Sequence, residues 1–301
     1  MNQTSVRSAL LLAICGFVSL SFGDAVVKSM AGAWPGTAVS ALRYSIGAAG
    51  LALVVALVEG RSGFAVPKPA LQLGRGAAVA VATICFFMAV MALPLAVATA
   101  IQFTSPMLTG ILSALVLGER APRAVWGATA LAFAGVLIVL RPNLLALGWP
   151  ALWPLGAALG MAWLMIFNRK AAGAASALAM QWLVALVAAP LLVAAAALLH
   201  AAAIPAFHAG PPSAAVALKC AAVALFATIG HLLIYSATVR ASAALVAPMT
   251  YVQLIVALAL GWAWFGNAPD SATLGGAALI VAGGLWLWRS QKAPPVAETP
   301  D

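Results

Sequence analysis

The sequence predicts an all-α membrane protein in which ten transmembrane helices form two inverted repeats of five, and three observations carry that expectation. Of the 301 residues, 65% are hydrophobic and only 7% charged, against roughly 25% charged in soluble domains. Apolar stretches of about 20 residues, the length a membrane helix needs, follow one another with short islands of Arg, Lys, Pro, Gly and Asn between them. When these stretches are threaded back and forth, most basic residues fall on one side.

Spans are expected at 8–30, 36–58, 75–92, 95–117, 124–140, 151–168, 176–199, 214–236, 243–265 and 272–288. Runs such as LALVVALV and AALIVAGGLWLW are apolar on every side, whereas barrel strands alternate over about 10 positions, so the spans are helices. Ala31-Gly32-Ala33 resembles a signal-peptide cleavage site, but Asp24 and Lys28 interrupt the apolar region before it, and the first span is expected to be retained. Cys15, Cys85 and Cys220 lie within spans without a C-x-x-C pair, so neither a disulfide framework nor a metal site is expected.

A formal charge of +9 would suggest nucleic acid in a soluble protein. Here it records topology, and no nucleic-acid partner is expected. With the amino terminus in the cytoplasm, Arg7, Arg61, Lys68, Arg75, Arg120, Arg123, Arg169, Lys170, Arg240, Arg289 and Lys292 share one side, while Lys28, Arg43, Arg141 and Lys219 fall near the other. The positive-inside rule makes the first side cytoplasmic. An even span number returns the carboxyl terminus there, with 291–301 read as a disordered tail.

Compared at a separation of about 148 residues, Ala96 falls on Ala244, Phe103 on Tyr251, Gly127 on Gly275 and Gly135 on Gly283. Repeats of five spans, an odd number, enter the membrane from opposite sides, an arrangement common in carriers. The expected division is 1–143 and 144–290.

The segment LPLAVATAIQFTSPMLTGILSALVLGER (Leu93 to Arg120), Gly127 and LAFAGVLIVLRP recur in the second half as ASAALVAPMTYVQLIVALALGWAWFGNAPD (Ala241 to Asp270) and LGGAALIVAGGL. Together with Asp24 and Lys28 ahead of Pro35 and Ala-Leu-Arg-Tyr at 41–44, they make the chain resemble the drug/metabolite transporter superfamily, in particular its EamA-type ten-helix members. One departure is Asn267, where many relatives have an acid matching Glu119. The resemblance implies a secondary transporter, without cofactor, in the bacterial inner membrane. The implied cargo is a small organic metabolite such as an amino acid, S-adenosylmethionine or riboflavin. Membrane lipid surrounds it, and the oligomeric state is open between monomer and homodimer.

Polar groups in hydrocarbon cost free energy, about 2.5–3.5 kcal/mol for a central charge on insertion scales, so each needs a reason. Asp24 and Lys28 at i, i+4 share a helix face and can pair, with Arg43 in reach. They are expected to gate the outer side, or to sit near the headgroups with snorkelling stems. Gln102 and Phe103, just before Pro106, match Tyr251 and Gln253, just after Pro248, and carrier sites form where paired helices break. The alternative is interhelical hydrogen bonding. His231 and Tyr235 at i, i+4 face one way, and the imidazole titrates near neutral pH. Trp163 offers an aromatic face for cargo.

The expected substrate-binding set is therefore Gln102, Phe103, Trp163, His231, Tyr235, Tyr251 and Gln253, and the gating set Asp24, Lys28 and Arg43. A membrane enzyme would need a nucleophile with its base, or a metal cluster. The sequence contains no H-E-x-x-H, G-x-S-x-G or phosphate-binding loop, so no catalytic residues are expected. Within the transporter class, an exporter of lipophilic cations, with Asp24 as its acid, and a lipid-linked sugar flippase are the alternatives.

Overall fold

A computed structural model describes residues 3–118, 123–140, 149–171, 173–240 and 247–290. The described residues are helical with short 3-10 turns and contain no strand. The helices are α1 Gln3–Lys28, α2 Gly36–Val58, α3 Pro69–Ala92, α4 Leu95–Gln102, α5 Ser105–Leu117, α6 Arg123–Leu140, α7 Trp153–Lys170, α8 Ala177–Ala201, α9 Ala214–Arg240, α10 Val252–Phe265 and α11 Ser271–Ser290. Glu119, Arg120 and the 291–301 tail lie outside the described residues.

Among the described residues, six segments are long and apolar enough to cross a bilayer: Arg7–Lys28, Gly36–Val58, Pro69–Ala92, Leu95–Leu117, Ala177–Ala201 and Ala214–Ile234. Trp126–Val139, Met249–Phe265 and Ser271–Trp286 are shorter apolar helices. With no polar face to turn toward water, such helices make a multi-pass membrane protein.

Local chemistry sets the helix ends. Proline, fixed near φ −65° and lacking an N–H, suits a helix start. Pro35 and Pro94 precede α2 and α4, and Pro69 opens α3. Gly118 (φ 68°) and Gly266 (φ 66°) end α5 and α10 in the left-handed region that glycine enters without a Cβ penalty.

The expected span at 95–117 is broken. α4 stops at Gln102, Phe103 and Thr104 turn, and α5 restarts at Ser105 with Pro106 in its first turn. Pro106 removes one donor from the ladder and its ring disfavours helical backbone before it. The matching region of the second half is a 3-10 turn, Ala247–Tyr251, leading into α10.

Small residues bring helices together, as in membranes generally. A Cβ on Gly16 of α1 would come within 2.8 Å of the Gly230 carbonyl oxygen of α9, and one on Gly160 of α7 within 2.8 Å of the Ala82 nitrogen of α3. Gly135 of α6 faces Gly276 of α11, where a Cβ would lie 2.6 Å from the carbonyl oxygen. The main packing pairs are α1 with α9, α3 with α7, α6 with α11, and α2 with α8; α3 also meets α8, and α9 meets α2. Every one of these pairs joins the first half of the chain to the second.

Candidate functional site

The polar side chains in the middle of this apolar bundle converge from α1, α2, α3 and α9. Arg43 is the eighth residue of α2, about 10 Å along the helix from its start. Its guanidinium lies over the Tyr44 ring at 4.2 Å and toward the Phe87 ring of α3 at 5.9 Å. Thr83, one turn before Phe87, donates from Oγ1 to the Tyr44 hydroxyl oxygen at 3.1 Å and fixes that ring. The Arg43 Nε is buried with no hydrogen-bond partner among the described residues.

Asp24 of α1 and His231 of α9 are both within electrostatic reach of Arg43. Asp24 is half-buried, and among the described residues its carboxylate accepts no hydrogen bond. His231 is exposed and follows Cys220, Ala224 and Ala227 along one stripe of α9, where Cys220 and Ala224 are buried. Its Nδ1 lies 2.6 Å from the Ala227 carbonyl oxygen. A carbonyl oxygen only accepts, so Nδ1 carries a proton and Nε2 is left for a visitor.

Lys28 departs from the expected pairing with Asp24. Its Nζ donates to the Leu93 carbonyl oxygen at 2.7 Å and the Val90 carbonyl oxygen at 3.1 Å, and lies 5.4 Å from the centre of the Phe265 ring. The last carbonyls of a helix have no partner within it and carry partial negative charge, so the end of α3 draws the ammonium away from the carboxylate one turn below. Asp24 and Arg43 are thereby the opposite charges that face the centre.

The other expected residues lie elsewhere. Phe103 is buried and meets Tyr251 edge to face, ring centres 5.9 Å apart. The Tyr251 hydroxyl abuts Gly284 of α11. Both rings belong to the apolar cluster formed with Val136, Leu254 and Ile280. Gln102 and Gln253 are half-buried beside them, and the Gln253 carbonyl oxygen accepts from Ser21 Oγ of α1 at 3.4 Å. Trp163 stacks on Phe167 at 5.6 Å in the cluster that also holds Tyr44. The side chain of Tyr235 lies outside the described residues.

Two features escaped the sequence reading. At the Lys28 end, a recess of about 490 Å³ opens between the start of α2, the end of α3 and the α8–α9 connection, with Trp34, Met88, Met91 and His208 in its lining. Trp34 Nε1 closes one side by donating to the Gly210 carbonyl oxygen at 2.9 Å. At the opposite end, Arg75 lies inside α3 and is buried, not in a loop. Its Nε donates to Asn168 Oδ1 of α7 at 2.6 Å and its Nη1 to Gln72 Oε1 at 2.5 Å. Gln72 Nε2 donates to the Pro67 carbonyl oxygen at 3.1 Å. Lys68 Nζ reaches the Lys170 carbonyl oxygen at 3.3 Å, and Ser176 Oγ donates to Glu59 Oε1 at 2.6 Å. The only sequence signal was the i, i+3 spacing of Gln72 and Arg75.

A family model described as the EamA-like transporter family matches residues 7–141 and again 148–289. The chain is similar to the pseudopaline exporter CntI of Pseudomonas aeruginosa, 26% identical over 301 residues, covering 95% of this chain and 98% of that one. It is 31% identical over 201 residues to a riboflavin transporter of Rhizobium johnstonii, covering 66% of this chain and 64% of that protein. An S-adenosylmethionine uptake transporter of Rickettsia bellii is 27% identical over 202 residues, covering 66% and 65%. One solved crystal structure, 22% identical, shares the fold over 95% of this chain and 99% of that one with a TM-score of 0.61.

Proposed function

The chain belongs to the EamA-like transporter family, so it is a small-molecule transporter and not an enzyme, and from that premise we propose that it works as a secondary carrier of the bacterial inner membrane. Its two halves, 1–143 and 144–290, act as inverted five-helix repeats. Ten spans then bring both termini to the cytoplasm, and the Arg75 end, with Arg61, Lys68, Arg169 and Lys170, is the cytoplasmic one. The packing supports the repeat: exchanging the halves turns α1 on α9 into α7 on α3, and α3 on α8 into α9 on α2, while α2 on α8 and α6 on α11 map onto themselves. Phe103 and Tyr251, about 148 residues apart, are counterparts under that exchange and pack edge to face.

Cargo enters from the Lys28 recess and settles between Asp24, Arg43 and His231, with Gln102, Gln253 and Trp163 toward its edges. The single observation that carries this reading is the charged group, incompletely hydrogen-bonded, at the centre of a multi-pass apolar bundle. Buried charges in membranes mark substrate paths. Phe103 and Tyr251 serve as packing at the paired helix breaks, about which one repeat rocks against the other. The Arg75 network closes the cytoplasmic end in this state.

Cysteines replacing Gln72 and Met180, whose Nε2 and Sδ lie 3.6 Å apart, test the alternation in a background lacking Cys15, Cys85 and Cys220. Cross-linking is expected to stop counterflow in proteoliposomes and reduction to restore it. Full transport by the cross-linked protein would refute alternating access through this end. Asp24 also keeps a lipophilic-cation exporter in view as the second reading, tested with tetraphenylphosphonium as cargo.

A further inference from the structure

We propose that Met180 is an oxidation site: as the sulfoxide it clasps Gln72 and Arg75 and holds the cytoplasmic end of the bundle shut. This rests on the carrier reading above and adds a control to the closed end described there.

Two nitrogens of the Arg75 network have unequal partners for their hydrogens. Gln72 Nε2 donates to the Pro67 carbonyl oxygen at 3.1 Å and to Met180 Sδ at 3.6 Å. Arg75 Nη1 donates to Gln72 Oε1 at 2.5 Å and also to Met180 Sδ at 3.6 Å. An amide or guanidinium NH₂ has two hydrogens to place, and a thioether sulfur is a weak acceptor for the second of each. Gln72 and Arg75 are only 1% and 5% exposed, so water does little to replace it. One oxygen at the sulfur would serve both donors.

Met180 stands in the first turn of α8, half-buried and packed against the cluster of Leu51, Val55 and Trp182. Its partial exposure admits a molecule as small as hydrogen peroxide. The sulfur lone pair attacks one peroxide oxygen and the O–O bond breaks. The other oxygen leaves as hydroxide, beside the Arg75 guanidinium that stabilises it, and takes the proton of the new S–OH to become water. Sulfur gives up two electrons, peroxide accepts them, and the product is the sulfoxide, which methionine sulfoxide reductases reverse.

Separations of 3.6 Å from sulfur to each nitrogen let an oxygen bonded to the unmoved sulfur lie about 2.9 Å from both, a normal hydrogen-bond length. The bond from Arg75 is then charge-assisted, roughly twice as strong as a neutral one. A sulfoxide in an apolar core ordinarily disrupts packing; at Met180 the donors are already in place, and the sign reverses. Met165 is 43% exposed and more open to oxidant, but among the described residues no donor meets its sulfur. The Met180 clasp ties α3 of the first half to α8 of the second, the elements that separate when this end opens.

The test uses the full chain in lipid nanodiscs, in a background lacking Cys15, Cys85 and Cys220, treated with hydrogen peroxide and followed by peptide mass spectrometry and hydrogen–deuterium exchange. Met180 is expected to gain one oxygen and amide exchange across 177–185 to slow by about tenfold, the worth of a hydrogen bond to a charged group. Methionine sulfoxide reductases should reverse both changes. Met180→Leu keeps the bulk without the sulfur, and peroxide should leave its exchange over 177–185 unchanged. Met180→Gln brings an acceptor oxygen without oxidation and should exchange more slowly than Met180→Leu before any treatment. The proposal is overturned if Met180 stays unoxidised while Met165 oxidises, if the Met180 sulfoxide leaves exchange unchanged or speeds it, or if Met180→Leu responds to peroxide as its parent does. Failure of the carrier reading looks different: the sulfoxide slows exchange at this end, yet counterflow of riboflavin or S-adenosylmethionine, the probe cargoes, runs in proteoliposomes as fast as before oxidation.

Discussion

Two arginines in neighbouring helices have opposite situations. Arg75 is the more deeply buried, and the protein completes it: Asn168 and Gln72 accept from it at 2.6 and 2.5 Å, and Gln72 is itself tied to Pro67. Arg43 is half-buried and left incomplete, with aromatic rings around it and a donor unmet. Burial alone therefore does not tell a structural charge from a functional one. The distinction lies in whether the partners of the charge are part of the chain.

The largest effect that can break this comparison is loss of transport at Arg43. Arg43→Ala is expected to lower initial counterflow rates by about 10- to 100-fold, the worth of a hydrogen bond to a charged group, with little change in melting temperature. If stability falls instead and the remaining folded protein transports normally, Arg43 is structural and the contrast is gone.

Arg75→Ala should act the other way round. Stranding the Asn168 and Gln72 oxygens costs about 1–3 kcal/mol each where they stay buried, read as a lower melting temperature in detergent. A smaller change comes from Arg43→Lys, which keeps the charge and removes the planar fork; about tenfold weaker cargo binding is expected by competition. Smallest is Tyr251→Phe: the hydroxyl abuts Gly284 and the ring packs on Phe103, so transport is expected within about threefold of wild type, a change below 1 kcal/mol. A loss as large as that of Arg43→Ala would move the cargo site to the paired breaks.

Much of the fold was legible because membrane helices announce themselves by composition. The break near Pro106 and the ends at Gly118 and Gly266 also follow from residue chemistry alone. The site was legible in its residue types but less so in its pairings. Asp24 and Lys28 share a face by spacing, yet the spacing is blind to the end of α3, whose carbonyls claim Lys28. Arg75 reads as one more loop cation until α7 supplies Asn168 from 93 residues away. Likewise Phe103 and Tyr251 read as a polar break near the membrane centre, and only the meeting of α4 with α10 turns them into a packed pair.

The glycine contacts between α1 and α9, and between α7 and α3, interleave the polypeptide: each half rests its opening helix on the third helix of the other. A gene split at 144 would yield two fragments, each exposing a groove lined by glycine and alanine that lipid chains fill poorly. Produced singly, the fragments should be degraded; produced together, they should find one another and restore a working protein without any covalent link.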